Sequence, residues 1–201
     1  MNNIIVATSN AGKVKEFTHH LQDQYESILS LADMNWTQDI IEDGLTFEEN
    51  ALIKARTIFK TTHQEVLSDD SGLEVDALNK APGIYTARYA GVGATDAQNR
   101  ELMLKNLEHQ SERNAQFVCC LAWIQADGTE MVFRGEIKGR IHHECVGENG
   151  FGYDPIFIPN DENPSGLTYA QMSLSQKKAN SHRGRALEKM HQFILSQQGN
   201  K

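Results

Sequence analysis

A pair of adjacent carboxylates directly follows a short apolar run in residues 67–73, whose sequence is Leu-Ser-Asp-Asp-Ser-Gly-Leu. The apolar run favours a strand and the Ser71-Gly72 pair favours a turn, so this stretch predicts a strand that ends in a tight turn. Residues at the end of a rigid strand often carry the chemistry of α/β proteins. Because neighbouring side chains of a strand point to opposite faces, only one of Asp69 and Asp70 needs to face a ligand. That carboxylate could hold a divalent cation or accept a proton from water, and a solvated turn without chemistry is the alternative.

A strand, a glycine-containing loop and a helix follow one another at the start of the sequence. Residues 3–8 are apolar and β-branched, and from Val14 onward apolar residues recur at the spacing of an amphipathic helix. Lys13 falls in the first helical turn, where a cation is unfavourable unless an anion is also bound. The loop therefore indicates phosphate binding, with an ordinary exposed lysine as the alternative. It is not a P-loop, because only Gly12-Lys13 matches and Val14 stands where a hydroxyl would be needed.

A second helix is predicted to begin at Thr46, because Glu49 follows three residues later and completes a capping box. The helix dipole accounts for acids within its first turn. It accounts less well for Glu42 and Asp43, which precede the helix in a glycine turn. A carboxylate that faces a metal is the alternative interpretation for this pair.

The second half of the chain predicts a long hairpin, a glycine-rich loop and a final helix. Strands over residues 116–125 and 130–141 flank an Asp127-Gly128 turn. In residues 150–157, glycines on both sides of an aromatic residue form either an ordinary turn or a rigid loop that approaches a flat ligand. Ser181 is the predicted N-cap of the last helix.

The last helix opens with the basic residues His182, Arg183 and Arg185, which the helix dipole disfavours at this position. The same mismatch occurs at Lys13. Two cationic groups at helix N-termini favour one polyanionic ligand over coincidence.

The net charge of the 201-residue chain is −8 and its pI is near 5.5, which argues against broad binding to nucleic acid or anionic membranes. No apolar run approaches the roughly 18 residues of a membrane span, and no signal marks export. The three cysteines, Cys119, Cys120 and Cys145, lack a ligand spacing and are expected to be buried thiols in a reducing cytoplasm. Because no linker or repeat divides the sequence, we expect one domain over residues 1–201.

Taken together, the motifs resemble the inosine triphosphate pyrophosphatases, also called the Ham1-like family, and most closely its bacterial branch. The matching segments lie in order along the chain and are Thr8-Ser9-Asn10-Ala11-Gly12-Lys13, Gly44-Leu45-Thr46-Phe47-Glu48-Glu49-Asn50-Ala51, Asp69-Asp70-Ser71-Gly72-Leu73, Pro82-Gly83-Ile84-Tyr85-Thr86-Ala87-Arg88-Tyr89, Phe151-Gly152-Tyr153-Asp154-Pro155 and Ser181-His182-Arg183. The resemblance implies an elongated α/β fold with a mixed sheet, two lobes and a central substrate cleft. It also implies a homodimer.

The same resemblance implies roles for individual residues. The triphosphate would lie against the loop formed by Thr8, Ser9, Asn10, Ala11, Gly12 and Lys13. Asp70 would accept the proton and bind Mg²⁺, and Lys13 would neutralise developing charge. Ser71 would contact the substrate, and the base pocket would be formed by Phe151, Gly152, Tyr153, Asp154, Lys177, His182 and Arg183. Some relatives carry a metal-binding glutamate three residues before the glycine, where this chain has Ile41, so Glu42 becomes the second metal candidate.

The activity implied is hydrolysis of ITP, dITP or XTP to the nucleoside monophosphate and pyrophosphate. Three alternatives remain open at this point: a nucleotide-binding regulator without catalysis, a phosphotransferase, and a related pyrophosphatase for other modified nucleotides. The products of the reaction and a panel of substrates distinguish them.

Overall fold

The computed structural model describes residues 3–198, apart from the side chains of Lys178, Ala179 and Gln198. Its strands are β1 (Asn3–Val6), β2 (Ser27–Ser30), β3 (Val66–Val75), β4 (Asn114–Ile124), β5 (Glu130–Ile141) and β6 (Phe157–Pro159). Its α-helices are α1 (Ala11–Leu21), α2 (Phe47–Thr62), α3 (Asp96–Asn106), α4 (Leu174–Ala179) and α5 (His182–Gln198).

The strands form one six-stranded sheet in the order β2-β1-β3-β4-β5-β6. Strand β1 lies parallel to both β2 and β3, whereas β5 and β6 are antiparallel. The predicted mixed α/β fold is thus confirmed. Among the described residues, no helix is both long enough and apolar enough to cross a membrane.

The predicted turn after the paired carboxylates is wrong, because β3 continues without interruption to Val75. Ser68 and Asp69 are buried, and the Nζ of Lys54 donates a hydrogen bond to the main-chain carbonyl of Asp69. Leu73 and Val75 then continue the strand into an apolar core. Sheet pairing and burial therefore override the turn preference of Asp, Ser and Gly.

The chain divides into two compact units, which we describe separately. The first unit contains residues up to Asp70, then Cys119–Arg134, and then the chain from Ala186; the second contains Ser71–Val118 and Gly135–Arg185. The apolar core of the first unit includes Ile4, Val6, Phe17, Leu67, Cys119, Leu121 and Met190. The core of the second includes Leu73, Val75, Met103, Ile137, Tyr153, Phe157 and Tyr169. The single domain and the cleft expected from the sequence stay predictions.

Side-chain caps fix the helix starts close to the predicted positions. The Thr46 hydroxyl accepts from the amide of Glu49, and the Ser181 hydroxyl accepts from the amide of Gly184. Both caps were predicted, and each satisfies an amide that has no partner within its helix. The expectation of three buried thiols holds for Cys119 and Cys120 but is wrong for Cys145, which is exposed.

Candidate active site

The loop between β1 and α1 presents main-chain groups at the start of a helix. The Asn10 side chain caps α1 by accepting from the amide of Lys13 at 3.0 Å, and the Thr8 hydroxyl accepts from the amide of Asn10 at 3.2 Å. Ser9, Asn10 and Ala11 are exposed, Gly12 and Lys13 are half-buried, and Thr8 is buried. The exposed helix start can receive an anion, although the Asn10 side-chain oxygen already serves as the cap.

Lys13 forms an ion pair with Asp69, with 2.9 Å between Nζ and Oδ2. The Asp69 side chain has no exposed surface, whereas 17% of the Lys13 side chain reaches solvent. This carboxylate offsets the unfavourable position of a cation in the first turn of α1. The basic residue that suggested a bound polyanion therefore already has an internal counter-charge, which a ligand phosphate would have to replace or share.

Asp70 is held by an amide that also binds the preceding loop. Its Oδ2 accepts from Nδ2 of Asn50 at 3.1 Å, while Oδ1 of Asn50 accepts from the amide of Gly44 at 2.9 Å. The pKa of Asp70 is raised from 3.8 to about 6, chiefly by burial and to a smaller extent by the charge of Glu42, against the lowering effects of Lys54, Lys13 and the Asn50 bond. A carboxylate with this pKa is a stronger base than an exposed aspartate and can accept a proton near neutral pH.

Lys54 connects Glu42 to the strand that carries Asp70. Its Nζ lies 3.0 Å from Oε2 of Glu42 and also 3.0 Å from the main-chain oxygen of Asp69. Glu42 is therefore tied to the same charged cluster as Asp70, whereas its neighbour Ile41 is 76% exposed. We call Lys13, Glu42, Asn50, Lys54, Asp69 and Asp70 the charged cluster.

The donors of the charged cluster fit magnesium. Carboxylate oxygens are the ligands that Mg²⁺ prefers, and Mg²⁺ commonly takes only one or two of them beside substrate phosphates. Asp70 and Glu42 supply such a pair, and the like charge of Glu42 raises the pKa of Asp70. Within residues 3–198, no group of three or more His, Cys, Asp or Glu side chains is placed to hold a metal. The donor set thus suits a cation that phosphate helps to bind.

In the second unit, the glycine-flanked loop is built around Phe151. The Nζ of Lys177 lies 4.7 Å from the centroid of the Phe151 ring and 2.7 Å from Oδ2 of Asp154. The same Asp154 oxygen accepts from the amide of Phe151 at 2.9 Å. Lys177 also lies 5.4 Å from the Tyr169 ring, and the Tyr153 hydroxyl donates to the main-chain oxygen of Thr86.

The structure brings three of the residues predicted to contact the base, Phe151, Asp154 and Lys177, into direct contact with one another. We call these three, together with Gly152, Tyr153 and Tyr169, the aromatic cluster. The half-buried Phe151 ring and the polar groups beside it suit a flat ligand that carries hydrogen-bonding atoms.

His182 and Arg183 open α5, as predicted. The His182 ring stacks on Phe117, with centroids 4.7 Å apart and planes at 13°. Phe117 in turn stacks on Tyr169, so ring contacts connect His182 to the aromatic cluster. Arg183 is 1% exposed and donates to the hydroxyl of Ser71 at 3.1 Å, so these two predicted residues also meet.

The sequence model of the Ham1 family matches residues 4–193 of this chain, which is nearly its whole length. The chain belongs to the Ham1 family. The family that the sequence motifs indicated is thereby confirmed.

Relatives of this Ham1-family chain match it from end to end. A dITP/XTP pyrophosphatase of Bacillus licheniformis is 44% identical over 196 residues, which cover 96% of this chain and 98% of that protein. The solved structure of the Staphylococcus aureus Ham1 protein is 40% identical with a TM-score of 0.83, over 99% of this chain and 100% of that one. A HAM1 protein from Coxiella burnetii is 38% identical with a TM-score of 0.84, over 98% and 100%.

Sequence reasoning missed Asn50 and Lys54, both of which belong to the charged cluster. They lie on the same face of α2 as the buried Ala51, Ala55 and Ile58, and they are only 2% and 9% exposed. Polar residues at core positions of an amphipathic helix are rare unless they are paired. The interruption of the apolar stripe was the signal that could have found them.

Proposed function

We propose that this protein hydrolyses modified purine nucleoside triphosphates, namely ITP, dITP and XTP, to the nucleoside monophosphate and pyrophosphate. The observation that carries the proposal is the charged cluster, in which a half-buried carboxylate with a raised pKa is surrounded by two lysines and a second acid. Membership of the Ham1 family and the dITP/XTP pyrophosphatases among the relatives support it.

In the proposed reaction, Asp70 accepts a proton from water, and the water oxygen attacks the α-phosphorus. The bond between the α-phosphorus and the α,β-bridging oxygen breaks, and that oxygen leaves with pyrophosphate. Lys13 and the amides at the start of α1 stabilise the negative charge that develops on the phosphate oxygens. Asn50 donates a hydrogen bond to one oxygen of Asp70 and so helps to orient the carboxylate.

Asp70 and Glu42 would hold Mg²⁺, which, when bound, would polarise the phosphate oxygens and offset their charge. Lys54 keeps Glu42 beside Asp70 and limits the repulsion between the two acids. The acids are thus balanced by lysines before any ligand binds.

The aromatic cluster would bind the purine, with the Phe151 ring against its face and Lys177 as the donor to a 6-keto oxygen. His182, Arg183 and Ser71 complete the contacts that we assign to the nucleoside. An amino group at position 6 cannot accept from Lys177, so the complex with ATP lacks one hydrogen bond from a charged donor, which is worth about 1.5–3 kcal/mol. ATP should therefore be a much poorer substrate than ITP.

The experiment that tests this function measures kcat/KM for ITP, dITP, XTP, GTP, ATP and dUTP with magnesium and identifies the products. We expect pyrophosphate and monophosphate, with ITP, dITP and XTP preferred by at least tenfold over ATP. Release of orthophosphate, transfer to an acceptor, or binding without turnover would contradict the proposal. Omitting magnesium and adding EDTA tests the metal requirement in the same assay.

We further propose that the protein acts as a homodimer on the cytoplasmic nucleotide pool, as its resemblance to the family implies. Light scattering behind a sizing column should give twice the mass of 22.5 kDa. A mass of one chain at working concentration would contradict the dimer.

A further inference from the structure

The Phe151 loop contains two glycines, so its conformation depends on contacts with other side chains, among which the bond from the Phe151 amide to Asp154 holds only one peptide group. Gly150 and Gly152 flank Phe151 and have positive φ values of 78° and 59°. Glycine has the largest conformational freedom of all residues, and a ring placed between two of them is not positioned by its own backbone preferences. A flat ligand that rests on Phe151 would therefore depend on whatever holds the neighbouring peptide groups.

Side chains of helix α3 form hydrogen bonds with both the main-chain amide and the main-chain carbonyl of Gly152. Oδ2 of Asp96 accepts from the Gly152 amide at 2.8 Å, and a guanidinium nitrogen of Arg100 donates to the Gly152 carbonyl at 2.6 Å. Asp96 and Arg100 are four residues apart and thus lie on one face of the helix. Neither residue is among the site residues that the sequence predicted.

Burial, side-chain hydrogen bonds and a helix cap fix the position of helix α3. A loop that is bonded to α3 is therefore held in place as well. Met103 is fully buried in the core of the second unit. The buried Asn99 accepts from the amide of Ala90 and donates to the carbonyl of Ala87. Thr95 and Gln98 form a complete capping box at the start of the helix.

We propose that Asp96 and Arg100 are positioning residues for base recognition: by holding the Gly152 peptide, they set the orientation in which Phe151 meets the purine. The inference rests on the proposed function and deepens it. Neither residue is assigned a contact with the substrate. Their effect should be confined to the nucleoside part of the ligand and should leave the triphosphate contacts unchanged.

The test compares Asp96→Ala with Asp96→Asn and Arg100→Met with Arg100→Lys. Both Asp96 variants remove the charge at the start of α3, but asparagine keeps an acceptor for the Gly152 amide. Lysine keeps one donor for the Gly152 carbonyl. Glu101→Ala, at an exposed position of the same helix, is the control for general effects of mutating α3.

For Asp96→Ala and Arg100→Met, we expect KM for dITP to rise about fivefold to tenfold, the change that loss of one hydrogen bond produces. The kcat should stay within twofold, and inhibition by tripolyphosphate, which has no base, should not change. Asp96→Asn, Arg100→Lys and Glu101→Ala should stay within about threefold of the wild type. Exchange of the Gly152 amide with deuterium, followed by NMR, should accelerate in Asp96→Ala but not in Asp96→Asn.

Three results would overturn the inference while the wild type still releases pyrophosphate from dITP: an unchanged KM in both truncated variants, equal effects of alanine and asparagine at position 96, or a parallel loss of tripolyphosphate inhibition. If the wild type releases no pyrophosphate from dITP, the proposed function fails and the inference falls with it. Circular dichroism melting curves confirm that each variant is folded.

Discussion

Each unit contains a buried or half-buried lysine–aspartate ion pair with nearly the same N–O distance, but the two pairs differ in their surroundings. In the first unit, Lys13 and Asp69 are 2.9 Å apart, and Lys13 keeps 17% of its side-chain surface exposed. In the second unit, Lys177 and Asp154 are 2.7 Å apart, and Lys177 is only 7% exposed between two aromatic rings. The pair distance alone therefore does not reveal the role of the pair.

The difference lies in what else each partner contacts. Lys13 stands at the start of a helix whose adjoining loop is exposed, so a phosphate can approach it. Asp154 also accepts from the amide of Phe151, so its pair with Lys177 fixes a loop. We infer that Lys13 can exchange its partner Asp69 for a ligand anion. The Lys177–Asp154 pair instead maintains the conformation of the Phe151 loop.

The largest effect is expected at the carboxylate beside the first pair. Asp70→Asn should lower kcat by about 10² to 10⁴, the usual contribution of a positioned base, while the affinity for dITP changes little. Pyrophosphate release gives kcat, and titration calorimetry gives the affinity. A variant that retains a near-normal kcat would show that Asp70 is not the base.

Breaking the second pair should mainly affect folding. Asp154→Ala leaves Lys177 buried without its carboxylate, so we expect the free energy of unfolding to fall by about 3 kcal/mol or more. Asp161→Ala breaks an exposed pair with Arg185 and should cost less than about 1 kcal/mol. Urea denaturation measures both variants. Equal losses in the two would erase the distinction between a buried and an exposed pair.

The raised pKa of Asp70 predicts a pH-dependent gain of stability in Asp70→Asn. Well below pH 4, the carboxyl is protonated in both folded and unfolded protein and contributes nothing. Above pH 6, ionisation in the folded state costs up to about 3 kcal/mol, because the folded pKa is about 6 and the ordinary value is 3.8. The stability advantage of the asparagine variant, measured by urea denaturation in EDTA, should therefore grow from pH 4 to pH 7. A stability advantage that is constant with pH would contradict the raised pKa of Asp70.

The smallest effect in this series concerns the first pair itself. Lys13→Ala should weaken inhibition by tripolyphosphate about tenfold and leave the affinity for inosine unchanged, since the nucleoside has no phosphate. Lys15→Ala, which removes an exposed lysine from the same helix, is the matched control. If the substitution weakens the binding of inosine and of tripolyphosphate equally, Lys13 does not act specifically on the phosphate part of the ligand.

The sequence predicted elements with strong local signals. The amphipathic stripe and cap of α2, the strand β5 and the N-cap at Ser181 all agree with the structure. Each depends on residues within one turn or one hairpin, so local spacing was enough. The family was also predicted, since its motifs are short, ordered and chemically specific.

The sequence could not predict features that depend on contacts between distant segments. The turn expected at Ser71-Gly72 does not form, because β3 pairs with neighbours that come from other parts of the chain. The partner of Lys13 could not be chosen between Asp69 and Asp70 from alternation alone, and the structure gives Asp69. The bonds from α3 to Gly152 join residues 56 and 52 positions apart, a separation for which spacing gives no rule.

The continuous course of β3 through the paired acids has a consequence for engineering this protein. Asp70 is mounted on the sheet, while Phe151 and Gly152 lie in a connection between elements, and connections tolerate sequence changes better than strands do. A designer who wishes to alter the accepted base can therefore graft new connections onto the same scaffold. Asp70, the proposed base, would keep its place on β3 through such exchanges.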